Sequence, residues 1–165
     1  SSGIHSNGLS LARKIAEKTK EGFFTRLPSG KTLGQVLLTP TIIYSPFIQA
    51  LLDEEIDVRY IQPITGHGWA KIMRKKKDLR YVIDNLPKPQ EEFKFMQKEG
   101  PVEDEESYRV FNMGVGLVVL APEKEKVKFR ATAVNCGLTP YVLGYTEEGE
   151  REVVIKEKNI TYKPK

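Results

Sequence analysis

Cysteine is almost missing from this chain. A single residue, Cys136, excludes an internal disulfide framework and a Cys-rich zinc site. Histidine occurs only twice, at His5 and His67, so no pair has metal-ligand spacing and no His-based metal site is expected. No apolar run approaches the roughly 18 residues that a membrane span requires, the longest being Gly114–Pro122. No signal-peptide pattern and no internal repeat occur, and neither G-x-G-x-x-G nor a Walker A sequence is present. Neither sign of charge dominates. The 26 Lys and Arg against 22 Asp and Glu leave +4, too little for a nucleic-acid stripe but suited to an anionic small ligand.

What remains is a chain of 165 residues, 39% apolar and 29% charged, the composition of one soluble globular domain. Helical spacing of Leu9, Leu11, Ala12, Ile15 and Ala16 predicts a helix ending near Lys20–Gly22, with Ser6 or Asn7 as N-cap. Residues 23–31 read as a loop. A second helical region starts at Thr39-Pro40-Thr41 and restarts at Pro46. Further helices are expected over 70–77, 89–99, 103–110 and 127–136, the last stopped by Gly137. Strands are expected over 58–61, 79–83, 116–120, 141–145 and 152–156, and a polar, fraying end over 160–165. Cys136 reads as small core filler, with a reactive thiol as the alternative. Interleaved strands and helices predict an α+β fold, a layered α/β/α sandwich with a mixed, largely antiparallel sheet.

Charge is unevenly placed. Residues 71–80 hold six Lys or Arg and one Asp, and residues 91–106 hold seven acids and two lysines. Both runs read as solvated helix faces. The basic run follows a glycine-rich turn, which adds phosphate attraction as a second reading.

Both histidines lie in glycine-containing turns: Gly3-Ile4-His5-Ser6-Asn7-Gly8 and Ile64-Thr65-Gly66-His67-Gly68-Trp69. A third such turn is Phe111-Asn112-Met113-Gly114-Val115-Gly116. The first two precede expected helices, where free N–H groups and the helix dipole attract phosphate or carboxylate. Glycine lets a ligand approach the backbone closely. Asn7 and Thr65 add neutral hydrogen-bonding groups, and His5 can donate, accept or charge near neutral pH. The plainer reading of each turn is a helix cap or a tight turn at a strand end.

Residues 1–15, Ser-Ser-Gly-Ile-His-Ser-Asn-Gly-Leu-Ser-Leu-Ala-Arg-Lys-Ile, closely resemble the motif that opens the C-terminal domain of the phosphoribosylformylglycinamidine cyclo-ligase (aminoimidazole ribonucleotide synthetase) family. Leu37–Tyr44, Ile64–Gly68 and Tyr108–Gly116 resemble the same family in the same order, so the likeness runs from residue 1 to about 145. It implies that residues 1–165 form the C-terminal domain of a two-domain enzyme, with an ATP-binding, dimerising domain upstream of Ser1. A tag remnant is the alternative reading of Ser1-Ser2-Gly3.

The implied activity is ATP-dependent closure of an imidazole ring in purine biosynthesis, in the cytoplasm, by a homodimer. ATP and Mg2+ would be held mainly by the other domain, and no nucleic acid, membrane or metal partner is implied for this one. Carried over, His5 and Asn7 become the catalytic residues. Ser6, Gly8, Thr65, Gly66, His67, Gly68, Asn112 and Gly114 would bind the anionic ribonucleotide substrate, with Met113 in support. One departure stands out. His67 occupies the place of a third glycine, and Trp69-Ala70-Lys71-Ile72-Met73-Arg74 replaces an acidic stretch. This leaves two alternatives: a related ATP-dependent enzyme of the superfamily with another substrate, or a non-catalytic ligand-binding domain of the same fold.

Overall fold

The computed structural model describes residues 1–74 and 78–164. Lys75, Lys76 and Lys77 of the basic run, with the end of the helix expected over 70–77, lie outside the described residues. Helix α1 (Leu9–Lys18) buries Ala12, Ile15 and Ala16 and leaves Arg13, Lys14, Glu17 and Lys18 exposed. Its expected cap at Ser6 or Asn7 is corrected. Gly8, in the left-handed conformation at φ 79°, holds the N-cap position without any side-chain cap. The turn there leaves the Asn7 side chain facing another loop.

Helix α2 (Leu33–Leu37) starts on a capping box. Thr32 N–H donates to Gln35 Oε1 at 2.8 Å, and Gln35 N–H donates to Thr32 Oγ1 at 3.3 Å. The helix expected from Thr39 begins only at Ser45 (α3, Ser45–Asp53). Pro40 disfavours helical backbone at Thr39, whereas Pro46 in the first turn of α3 lacks an N–H that would have no partner there.

Strand β1 (Tyr60–Pro63) pairs antiparallel with β3 (Leu117–Leu120) in a two-stranded ribbon. On one side of the ribbon, Leu117 and Val119 pack on a small cluster of Phe47, Leu51, Ile56 and Ala133 between α3 and α6 (Lys126–Asn135). The Phe47 and Phe129 rings meet there edge-on, 5.5 Å apart. Val118 points into the main core.

The second sheet has the order β4-β2-β5-β6, with β2 at Leu79–Ile83, β4 at Gly144–Glu148, β5 at Glu152–Ile155 and β6 at Ile160–Tyr162. Only β2 and β5 run parallel, so the α+β class and the mixed, largely antiparallel pairing are as expected. Among the described residues the strands form two sheets. Tyr81, Ile83, Val153, Ile155, Ile160 and Tyr162 alternate inward, as the two-residue period of a strand dictates. They share one core with Ala12 and Ile15 of α1, Phe93 and Met96 of α4 (Glu91–Glu99) and Tyr108 of α5 (Asp104–Val110). The opposite face is only partly open: Val82 and Glu152 are buried there, and the exposed Arg80 pairs with Glu152 at 2.6 Å and Glu147 at 3.4 Å.

Three further expectations are corrected. The strand predicted over 141–145 begins at Gly144. The Val142 carbonyl is taken by Asn85 Nδ2 at 2.7 Å and the Leu143 carbonyl by the amides of Asp84 and Asn85 at 3.1 Å, a loop clasp in place of a ladder. The end predicted to fray holds β6, with Ile160 and Tyr162 buried and Tyr162 Oη donating to Glu105 O at 2.5 Å. Cys136 is exposed, because α6 buries Thr132 and Ala133 and ends one residue before it.

Candidate functional site

The three glycine turns, far apart in sequence, converge on one residue, Asn112. Asn112 is 1% exposed. Its Nδ2 donates to Gly3 O at 2.8 Å and Ile4 O at 3.2 Å. Its Oδ1 accepts from Gly114 N–H and Ser1 Oγ–H, both at 2.9 Å. Its own carbonyl accepts the indole N–H of fully buried Trp69 at 3.0 Å. One amide therefore fastens residues 1–4 to the third turn while its backbone holds the second.

Close packing finishes the junction. A Cβ on Gly8 would lie 2.4 Å from the Phe111 ring. One on Gly68, whose φ is 54°, would lie 2.1 Å from Tyr108 O. Thus the first turn rests on the third, and the second rests on the end of α5. Trp69 adds an edge-on contact with Tyr108 at 5.4 Å.

His5 lies beneath this surface, only 8% exposed, in left-handed backbone at φ 58°. Ser2 N–H donates to its Nε2 at 3.2 Å, which assigns the ring proton to Nδ1. Burial above all holds its pKa down at about 4, so the ring is neutral at pH 7. The Tyr44 ring lies 6.4 Å from it, and burial pushes that phenol up from its ordinary value. Both rings close over Gly116, where a Cβ would meet Tyr44 Oη at 2.0 Å and His5 Cε1 at 2.7 Å.

The solvent-facing rim is made by Ser6, Asn7, Thr65, Gly66 and His67. A Cβ on Gly66 would meet Asn7 Oδ1 at 3.6 Å, an ordinary contact, so the first and second turns approach each other closely at the exposed Gly66. Thr65 O accepts from Gly68 N–H at 2.8 Å and closes the second turn. His67 holds φ 75°, the left-handed region that glycine favours and histidine tolerates better than most side chains, and its ring is exposed. Lys71 Nζ reaches back and donates to Thr65 Oγ1.

The structure therefore brings every predicted site residue to one corner and sorts them. His5 and Asn112 are buried supports, Gly8 and Gly114 are half-buried, and Gly68 is a packing contact. Ser6, Asn7, Thr65, Gly66 and His67 face outward. Sequence reasoning did not single out Tyr44, Trp69, Lys71 or Gly116 as members of this corner. Tyr44 and Gly116 end two of the quoted motifs, so their place in those motifs was the available signal. Among the described residues no group of three or more His, Cys, Asp or Glu side chains could hold a metal ion, and no helix is long and apolar enough to cross a membrane.

The glycine turns of this α+β domain form one polar corner, and comparison with known proteins gives the family of the chain. Residues 1–157 match the family described as AIR synthase related protein, C-terminal domain, and the chain belongs to that family. Relatives named phosphoribosylformylglycinamidine cyclo-ligase include that of Methanocaldococcus jannaschii, 42% identical over 146 residues that cover 87% of this chain and 42% of the relative. That of Methanopyrus kandleri is 41% identical over 155 residues, 93% of this chain and 44% of the relative. That of Methanosarcina acetivorans is 45% identical over 130 residues, 78% of this chain and 38% of the relative. The chain spans less than half the length of each of these three relatives.

Proposed function

We propose that this chain is the C-terminal half of an ATP-dependent cyclo-ligase that closes the imidazole ring of formylglycinamidine ribonucleotide in purine biosynthesis. The observation that carries the reading is the junction at Asn112, which turns three separate glycine loops into one wall. The names of the relatives support the reaction. The wall presents polar backbone and small side chains, which suits an anionic ribonucleotide that must be positioned more than attacked. ATP supplies the phosphoryl group that converts the amide oxygen into a leaving group.

This chain's residues would do the positioning. Asn7, half-exposed on the rim, donates to substrate oxygen and accepts from substrate N–H. Neutral His5 holds the first turn from below through the Ser2 amide. Gly66 admits the ligand to the backbone. The remaining half would supply dimerisation and most of the ATP and magnesium site, in a cytoplasmic homodimer.

The test uses the full-length protein with formylglycinamidine ribonucleotide, ATP and magnesium. Aminoimidazole ribonucleotide should form with one ATP consumed per ring closed. Asn7→Ala should lower turnover about 100-fold, the scale of losing one preorganised hydrogen-bonding group, at an unchanged denaturation midpoint. Residues 1–165 alone should show no turnover. Cyclisation by that isolated segment, or full activity in Asn7→Ala, would overturn the reading.

A further inference from the structure

The rim carries a cation whose placement the glycine turns alone do not explain. Lys71 is half-buried in the irregular 3-10 run Gly68–Arg74, immediately after the second turn. Its ammonium has three donors to satisfy, and it reaches back to a neutral acceptor, Thr65 Oγ1. Among the described residues it enters no ion pair, whereas Arg80, Arg109, Lys158 and Lys163 each have a carboxylate partner. Burial, and next the like charge of Arg74, both press against its charged form. An ammonium held this way gains most from an anion arriving from outside.

The space beside it fits such an arrival. Gly66 is exposed and bare of side chain, Asn7 Oδ1 stands close beside it, and the Thr65–Gly68 turn is held in shape by its own hydrogen bond. Gly68 backs onto the Tyr108 and Arg109 backbone with no room for a side chain. Lys71, Thr65, Gly66 and Asn7 therefore border one solvent-facing notch.

We propose that Lys71 is a specificity-determining residue whose ammonium, set by Thr65, binds the phosphate monoester of the ribonucleotide substrate at this notch. The inference rests on the cyclo-ligase reading for the identity of the ribonucleotide. A phosphate group could also come from ATP, and the two sources separate in kinetics.

In the full-length protein, Lys71→Gln should raise KM for the ribonucleotide about 10- to 100-fold, the range for one charge-assisted hydrogen bond. Turnover at saturation and KM for ATP should change less than about threefold, and Lys71→Arg should recover most of the loss. The substrate analogue lacking phosphate should be used equally poorly by wild type and Lys71→Gln. A ribonucleotide KM within twofold of wild type, a shift in KM for ATP instead, or an equal loss for the dephosphorylated analogue would overturn the assignment. Titration with ribose 5-phosphate separates this inference from the reaction. If the wild-type protein does not cyclise the ribonucleotide, the functional reading falls. Ribose 5-phosphate binding that Lys71→Gln abolishes would still uphold the notch, and binding that it leaves intact would overturn it.

Discussion

Removing the side chain of Asn112 should uncouple the first glycine turn from the third. In Asn112→Ala, Gly3 O and Ile4 O lose the Nδ2 donor, and Gly114 N–H and Ser1 Oγ lose the Oδ1 acceptor. Gly3 and Ile4 are buried, so water cannot replace the amide there without opening the loop. A buried polar group left unpaired costs about 1–3 kcal/mol, which puts the whole change near 3 kcal/mol. The Trp69 bond survives because it uses the main-chain carbonyl of residue 112. Urea denaturation of the full-length variant should show the loss, and amide hydrogen exchange should speed up in residues 3–8 while Trp69 and its neighbours stay protected. Asn112→Asp sharpens the point. It keeps the acceptor for Gly114 but sets a carboxylate oxygen against Gly3 O, so it should be at least as damaging at pH 7 and milder in acid, where a carboxyl proton restores a donor. A loss below about 1 kcal/mol in Asn112→Ala, or exchange that rises elsewhere and not in residues 3–8, would refute the reasoning.

Three other perturbations are decisive. Gly116→Ala places a methyl 2.0 Å from Tyr44 Oη and 2.7 Å from the His5 ring. It should cost about 2 kcal/mol by overpacking, and adding Tyr44→Phe should recover part of that in thermal melts. Tyr81 is 1% exposed and its hydroxyl has no hydrogen-bond partner among the described residues, so Tyr81→Phe should keep or raise stability, by about 1 kcal/mol, instead of lowering it. His5, with a folded pKa of about 4 against 6.5 in the unfolded chain, takes up its proton more readily when unfolded. Its contribution is therefore complete above pH 6.5 and is lost as pH falls toward 4, by at most about 3 kcal/mol. Denaturation of wild type and His5→Asn at pH 7 and pH 4.5 checks this: the variant should lose less on acidification, asparagine being tolerant of the left-handed backbone.

Local chemistry made much of the framework legible. Strand 79–83 matches the observed β2, and α4, α5 and α6 begin within two residues of the expected positions, because breakers such as Gly100-Pro101, Pro122 and Gly137 bound them in the sequence. The misplacements came from non-local or conformational causes. Gly8 displaced two better side-chain caps because the first turn needs a left-handed residue next to Phe111. Residues 160–162 looked like a polar tail because their partner, β5, and the Glu105 carbonyl that receives Tyr162 are invisible in a local window.

The site divides along the same line. The glycine turns were visible as turns, and their order carried the family resemblance. The bond from Asn112 to Gly3 spans 109 positions, and no spacing rule points to it. Lys71 was absorbed into a basic run, although its hydrogen bond to Thr65 and its half-buried position distinguish it from a solvated lysine.

The central claim is that three distant turns form a single ribonucleotide site. Hydrogen–deuterium exchange of the full-length protein, with and without formylglycinamidine ribonucleotide, tests it most directly. The expected result is joint protection of residues 3–8, 64–71 and 112–116 over the same concentration range of ligand. Protection confined to one of these segments, or to the partly open face of the four-stranded sheet, would contradict it.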